Sequence, residues 1–144
     1  MQHLPFILPT YRATKSCMIV STANFGRAHY KNGPANAFRH AYWNYAIAKA
    51  CEKYSTNTKK IVSWTKDITD WHEFAFPNRE LAKVMDCHNN LVGLVTYQEQ
   101  SFSTSEEAIN YFLELAENSV KIKHSNETKN LKYSLVHITA SDER

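Results

Sequence analysis

Three short stretches of the chain concentrate side chains that can move a proton or hold an ion. They are Asn36 through His40, His72 with Glu73, and Asp86 through Asn90. On a helix, Asn36 and His40 share a face. A His beside an amide and Trp43 is partly desolvated, which favours a neutral imidazole able to act as a base near pH 7. Arg39 stands one step round and can grip an anionic group with its forked guanidinium. Glu73 lies about 100° round a helix from His72. The expectation is therefore that it serves a His on another helix, or reaches a shared ion from a neighbouring edge. Asp86 and Asn90 are one turn apart. Two consecutive Asn followed by Gly93 disfavour a helix, by up to ~1 kcal/mol for the Gly against Ala. Ligand binding, a bend, or close approach of another helix at Gly93 has to compensate.

These residue types suit hydrolysis. His40 or His72 would activate water, and Glu73 and Asp86 would orient a His or hold a divalent ion. Asn36, Arg39, Asn89 and Asn90 would bind the substrate. The candidate metal ligands are His40, His72, Glu73, Asp86 and His88. Their spacing matches no metal signature, so an oxygen-rich hard-ion site and a zinc site containing His40 both stay open. Each stretch also has a structural reading. His40 can be a core His satisfied by Asn36, and His72 can favour a helix C-terminus beside a solvated Glu73. Cys87 reads as a small core residue. Two function classes follow: a small hydrolase acting on an ester, phosphoester or cell-wall bond, or a non-catalytic helical binding module with a buried polar network.

The elements that must position these residues read as helices. The chain has 144 residues, 43% hydrophobic and 22% charged, which suits one domain over 1–144. Pro5 and Pro9 predict an irregular start through residue 14, with a first helix over 15–28. Asn32-Gly33-Pro34 marks a turn. The alanine-rich 35–54 is the clearest helix. Further helices are expected over 58–75, 79–98 and, behind the capping boxes at Ser103 and Thr104, 104–120. Residues 121–131 read as a polar loop, and Tyr133–Thr139 as an extended tail or short strand. The sum is an all-α bundle of four or five helices. Short turns make 35–54, 58–75 and 79–98 antiparallel neighbours, so that the His40 and Asp86 stretches converge.

Composition excludes several classes. No apolar run approaches the ~20 residues of a membrane span. A net charge of +3 without a concentrated patch argues against nucleic-acid binding. Three scattered Cys with no CxxC imply a fold independent of disulfides. The start has no basic leader, so synthesis in the cytoplasm is expected, with any export through a specialised system.

Ala37–Tyr45 (AFRHAYWNY), Trp71–Glu73 (WHE) and Met85–Gly93 (MDCHNNLVG) occur in this order. Together they resemble a bacterial all-α domain family of unknown function with the pattern AFRHAYWNA, HE and MDLxNNxxG. The resemblance covers roughly residues 20–95. It implies shared roles for Arg39, His40, His72, Glu73, Asp86, Asn89 and Asn90. Members often look like modules of secreted or toxin-like proteins, which implies an effector-type hydrolase with a cognate immunity protein as partner. One departure stands out: the family has Asp where this chain has Asn36. A weaker similarity, to prokaryotic phospholipases A2, carries over only His-based hydrolysis, because Ala41 follows His40 where those enzymes have a calcium-binding Asp.

Overall fold

A computed structural model describes residues 3–76 and 78–139. The described residues form five α-helices: α1 (Leu4–Phe25), α2 (Pro34–Cys51), α3 (Thr58–Ala75), α4 (Glu80–Glu99) and α5 (Ser105–Glu117). A 3-10 turn, Gly26–Tyr30, joins α1 to α2, and another spans Ser125–Asn130. Two short strands, β1 (Val120–Lys121) and β2 (Val136–His137), pair in parallel. The architecture is the expected all-α bundle. Among the described residues, no helix is long and apolar enough to cross a membrane.

The start of the chain differs from expectation. Residues 4–14 are helical and continuous with the first predicted helix. Pro5 sits in the first turn, where its missing N–H would have had no partner. Pro9 then deprives only the carbonyl of Pro5, still near the same end, so the two prolines cost little helix. α1 stops at Gly26, whose φ of 57° lies in the left-handed region that glycine adopts without strain.

α2 is the central element and packs against α1, α3, α4 and α5. Ala37, Ala41 and Ala48 are fully buried on it, and small side chains let neighbouring helices come near. The closest approach is at Gly93 of α4. A Cβ built there would lie 2.1 Å from the Ala41 carbonyl oxygen. The unfavourable glycine is therefore explained by packing: α4 rests directly on the α2 backbone.

Within the tail, expected as extended or a short strand, Val136–His137 form the strand β2. Its partner β1 takes the last residue expected in the 104–120 helix, which ends instead at Glu117, and the first of the segment that reads as loop; Ser125–Asn130 within that segment winds into the 3-10 turn. The tail is also clamped to α4. Asn89 Nδ2 donates to the Val136 carbonyl at 2.9 Å, and Val136 N–H donates back to Asn89 Oδ1 at 2.9 Å. The Asn89 amide thus stands in for a second strand beside β2. His88 Nε2 donates to the Ser134 carbonyl at 2.8 Å. Asn89→Ala leaves a buried N–H and C=O unpaired and is expected to cost about 2–3 kcal/mol. Denaturant melts would read that loss, and hydrogen exchange should quicken at Leu135–Ile138; unchanged exchange there would contradict the clamp.

Candidate functional site

Three helices carry polar side chains at four-residue spacing on their inner faces: Asn36, His40 and Asn44 on α2, Thr65, Thr69 and Glu73 on α3, Asp86 and Asn90 on α4. All are buried. Residues four apart stack on one helical face, so each stripe is a column, and the three columns meet. His40 Nε2 lies 3.5 Å from Glu73 Oε1 and 3.6 Å from Asp86 Oδ1. One ligand atom from each of the three residues falls within 4.8 Å of the others.

Hydrogen bonds fix this arrangement. His40 Nδ1 lies 3.1 Å from the Asn36 carbonyl oxygen. A carbonyl only accepts, so Nδ1 carries a proton and Nε2 is the nitrogen turned to the two carboxylates. Asn90 Nδ2 donates to Glu73 Oε1 at 3.1 Å. Asn44 Nδ2 donates to Asn90 Oδ1 at 2.8 Å and to the His40 carbonyl at 3.0 Å. Thr69 Oγ1 is 3.0 Å from Asn44 Oδ1 and 2.9 Å from the Thr65 carbonyl. Three buried atoms at or beside this web have no hydrogen-bond partner among the described residues: Asn36 Oδ1, His72 Nδ1 and Asp86 Oδ1. Of these, only Asp86 Oδ1 is a carboxylate oxygen, and it lies beside His40 Nε2.

The electrostatics separate the two acids. Burial would raise the pKa of Glu73, but the neighbouring His40 and His72 imidazoles and the hydrogen bond from Asn90 hold it well below the usual carboxylate range. Burial pushes Asp86 up to about 6, against the opposing pull of His40. Burial alone would lower His40, yet the charges of Asp86 and Glu73 outweigh it and raise its pKa.

His72 stands at the edge of the cluster. It was expected on a buried stripe and apart from Glu73, but its side chain is 44% exposed and its Nδ1 lies 3.7 Å from Glu73 Oε1. Side-chain reach closes the gap that the rotation about the helix opens. Its ring contacts Trp43 and Phe76, with centroids 5.2 and 4.8 Å away. A pocket of about 230 Å³ opens here, lined by Thr14, Cys17, Met18, Arg39, His40, Trp43 and His72. It gives His40 a route to the outside.

The other sequence candidates sort clearly. Arg39 lines the pocket and stacks its guanidinium over Tyr30. Asn36 orients His40 through its backbone; its side chain donates instead to the His29 carbonyl at 3.2 Å. Asn89 and His88 face the tail rather than the cluster. The Cys87 thiol, pushed up to about 11 by burial, is protonated at neutral pH and inert. Sequence reading missed Asn44 and Thr69, which show no chemistry alone. Their spacing of four from His40 and from Glu73 was the available signal.

Comparison with known proteins adds a family without an assigned activity. The profile of a domain of unknown function, DUF6973, matches residues 1–121. No curated protein and no solved structure gives a match. The match takes in all three columns of the cluster, and by its extent this chain belongs to the DUF6973 family.

Proposed function

We propose that His40, Glu73 and Asp86 form a divalent-metal centre that serves hydrolysis of an ester or phosphoester. The observation that carries this reading is the orphaned Asp86 Oδ1 beside His40 Nε2. An unpaired buried carboxylate oxygen costs about 1–3 kcal/mol or more, and a cation is the natural partner. The separations of 3.5 and 3.6 Å are long for hydrogen bonds. They are close to the ~3.4 Å expected between ligands of a four-coordinate ion with bonds of ~2.0–2.1 Å. One imidazole and two carboxylates suit zinc or manganese better than calcium, which wants six to eight oxygens.

A bound ion would polarise a substrate oxygen and an attacking water. The protein supplies the rest. Glu73 is held as a carboxylate by Asn90, and His40 is oriented by the Asn36 carbonyl. His72, half-exposed beside the pocket, takes the proton as water adds its hydroxyl to the acyl carbon or phosphorus. The bond to the leaving oxygen breaks, and that oxygen takes the proton from His72. Arg39 pairs with an anionic part of the substrate. An effector role with an immunity partner is compatible with this chemistry and rests on the motif resemblance alone. The alternative, a closed structural network, is favoured by the full pairing of Asn44, Asn90 and Thr69 but leaves Asp86 unexplained.

Calorimetric titration of metal-free protein with Zn²⁺ or Mn²⁺ tests the centre, and release of nitrophenol from acyl and phosphate esters tests the chemistry. One equivalent bound, with turnover that needs it, is expected. A folded protein that binds no ion rejects the reading. The pH dependence is also specified. Asp86 and His40 have raised pKa values in the fold. The stability they contribute is present below their unfolded values, ~3.9 and ~6.5, and fades as pH rises through about 6 and above. Glu73 is lowered, so its contribution is present above ~4.3 and is lost on acidification. Metal-free protein should therefore be most stable at pH ~4. An ion replaces the protons, so the rise in Tm on adding Zn²⁺ should grow from pH 5 to pH 8. Thermal melts across that range check it.

A further inference from the structure

The outer face of α1 has no role in the site or the core, yet it is strongly apolar. Leu4, Ile7, Leu8, Tyr11 and Ile19 form one stripe at helical spacing, each 49% exposed or more. Lys15 lies within the stripe with its ammonium over the Tyr11 ring. At the edge of the stripe, Thr14 and Met18 become a wall of the pocket that ends on His40. Across the mouth, Phe76 is 61% exposed and touches the His72 ring. An exposed apolar face thus runs into a mostly apolar pocket and down to His40.

The charge carried by α1 and α2 has one sign. Residues 1–51 contain no Asp or Glu but six Lys and Arg: Arg12, Lys15, Arg27, Lys31, Arg39 and Lys49. The acids nearest in sequence to His72 are Asp67, Asp70 and Glu73 on α3; Asp70 is paired with Lys66, and Glu73 is buried in the cluster. A second copy docked through the same stripe would set Lys15 against its own like with no acid on α1 to answer it, which is unfavourable. Aliphatic and aromatic side chains interleaved with cations on a helix surface match the interface of a bilayer with anionic headgroups.

We infer that the α1 face docks on a bilayer carrying anionic lipids, and that the pocket between α1 and α2 admits an acyl chain of such a lipid. The substrate class is then a lipid ester, a step that rests on the hydrolytic reading of the cluster; the docking itself does not. Arg39 at the pocket faces the headgroup charge, and the ester carbonyl reaches His40.

Flotation of the full chain with vesicles tests the docking in the presence of EDTA, so that no turnover is involved. Binding to vesicles of equal phosphatidylcholine and phosphatidylglycerol is expected, weakened by salt and absent with phosphatidylcholine alone. The double variant Ile7→Glu, Ile19→Glu replaces two exposed side chains, so it should fold normally by circular dichroism and lose ~10-fold or more in partition. Absence of binding to the anionic vesicles overturns the inference. So does equal binding by the variant, or light scattering that shows a dimer which the variant splits. Met18→Trp fills the pocket without touching the cluster. It should still float but lose fatty-acid release from metal-loaded protein. Turnover of nitrophenyl esters without release from vesicles would overturn the lipid substrate while leaving the metal centre intact.

Discussion

Gly93→Ala is expected to destabilise the protein by about 3 kcal/mol or more and to lower Tm by ~10 °C. Two effects compete at this position. Alanine gains up to ~1 kcal/mol of helix propensity over glycine. Against that, its Cβ would sit 2.1 Å from the Ala41 carbonyl oxygen, with the Ala41 carbonyl carbon and Cα at 2.9 and 3.0 Å. All three contacts are backbone, so no rotamer change relieves them, and α4 must move away from α2. The clash therefore wins. The displacement also reaches the site, because Ala41 adjoins His40 and Gly93 lies two turns beyond Asp86 on α4. Any folded fraction of the variant should bind Zn²⁺ more weakly. A variant as stable as the parent would contradict the packing described at this crossing.

Asp86→Asn should separate stability from function in the opposite sense. At pH 7.5 the metal-free variant is expected to be more stable than the parent by about 1–3 kcal/mol, because it removes a charge buried without a hydrogen bond. Its amide can donate to His40 Nε2. The same variant should show no rise in Tm with Zn²⁺ and no hydrolysis. If the cluster were instead a structural ion pair, with Asp86 neutralising a protonated His40, the result would reverse. Loss of the carboxylate would then cost about 3–5 kcal/mol, and the parent itself would show no response to metal. Denaturant melts with and without Zn²⁺ decide between the two.

Much of this was legible in the residues. The alanine-rich α2 and the capping boxes before α5 mark their helices directly; of the two boxes the structure uses Thr104, and Asn57 caps α3. The start of α1 was misread because prolines weigh heavily in a sequence, whereas their effect depends on which turn they occupy. β1 was invisible because two residues gain strand character only from a partner sixteen positions away. His40, Glu73 and Asp86 were each identifiable, but their convergence depends on helix rotation, which Gly93 and the small residues of α2 set. Asn44 and Thr69 carry no chemical signature, so only the repeated interval of four could have drawn them in.

The hydrogen-bonded chain from Asn44 through Asn90 to Glu73 runs in one direction, each amide donating to the next acceptor. A proton on Glu73 would turn the charge-assisted bond from Asn90 into a weaker neutral one. The chain of amides therefore favours Glu73 as a carboxylate. Asp86 Oδ1 stands outside the chain and can gain or lose a proton without disturbing any amide. The two carboxylates beside one imidazole are thus unequal by construction: one is a fixed charge, and the other is where the protein can keep a proton in reserve.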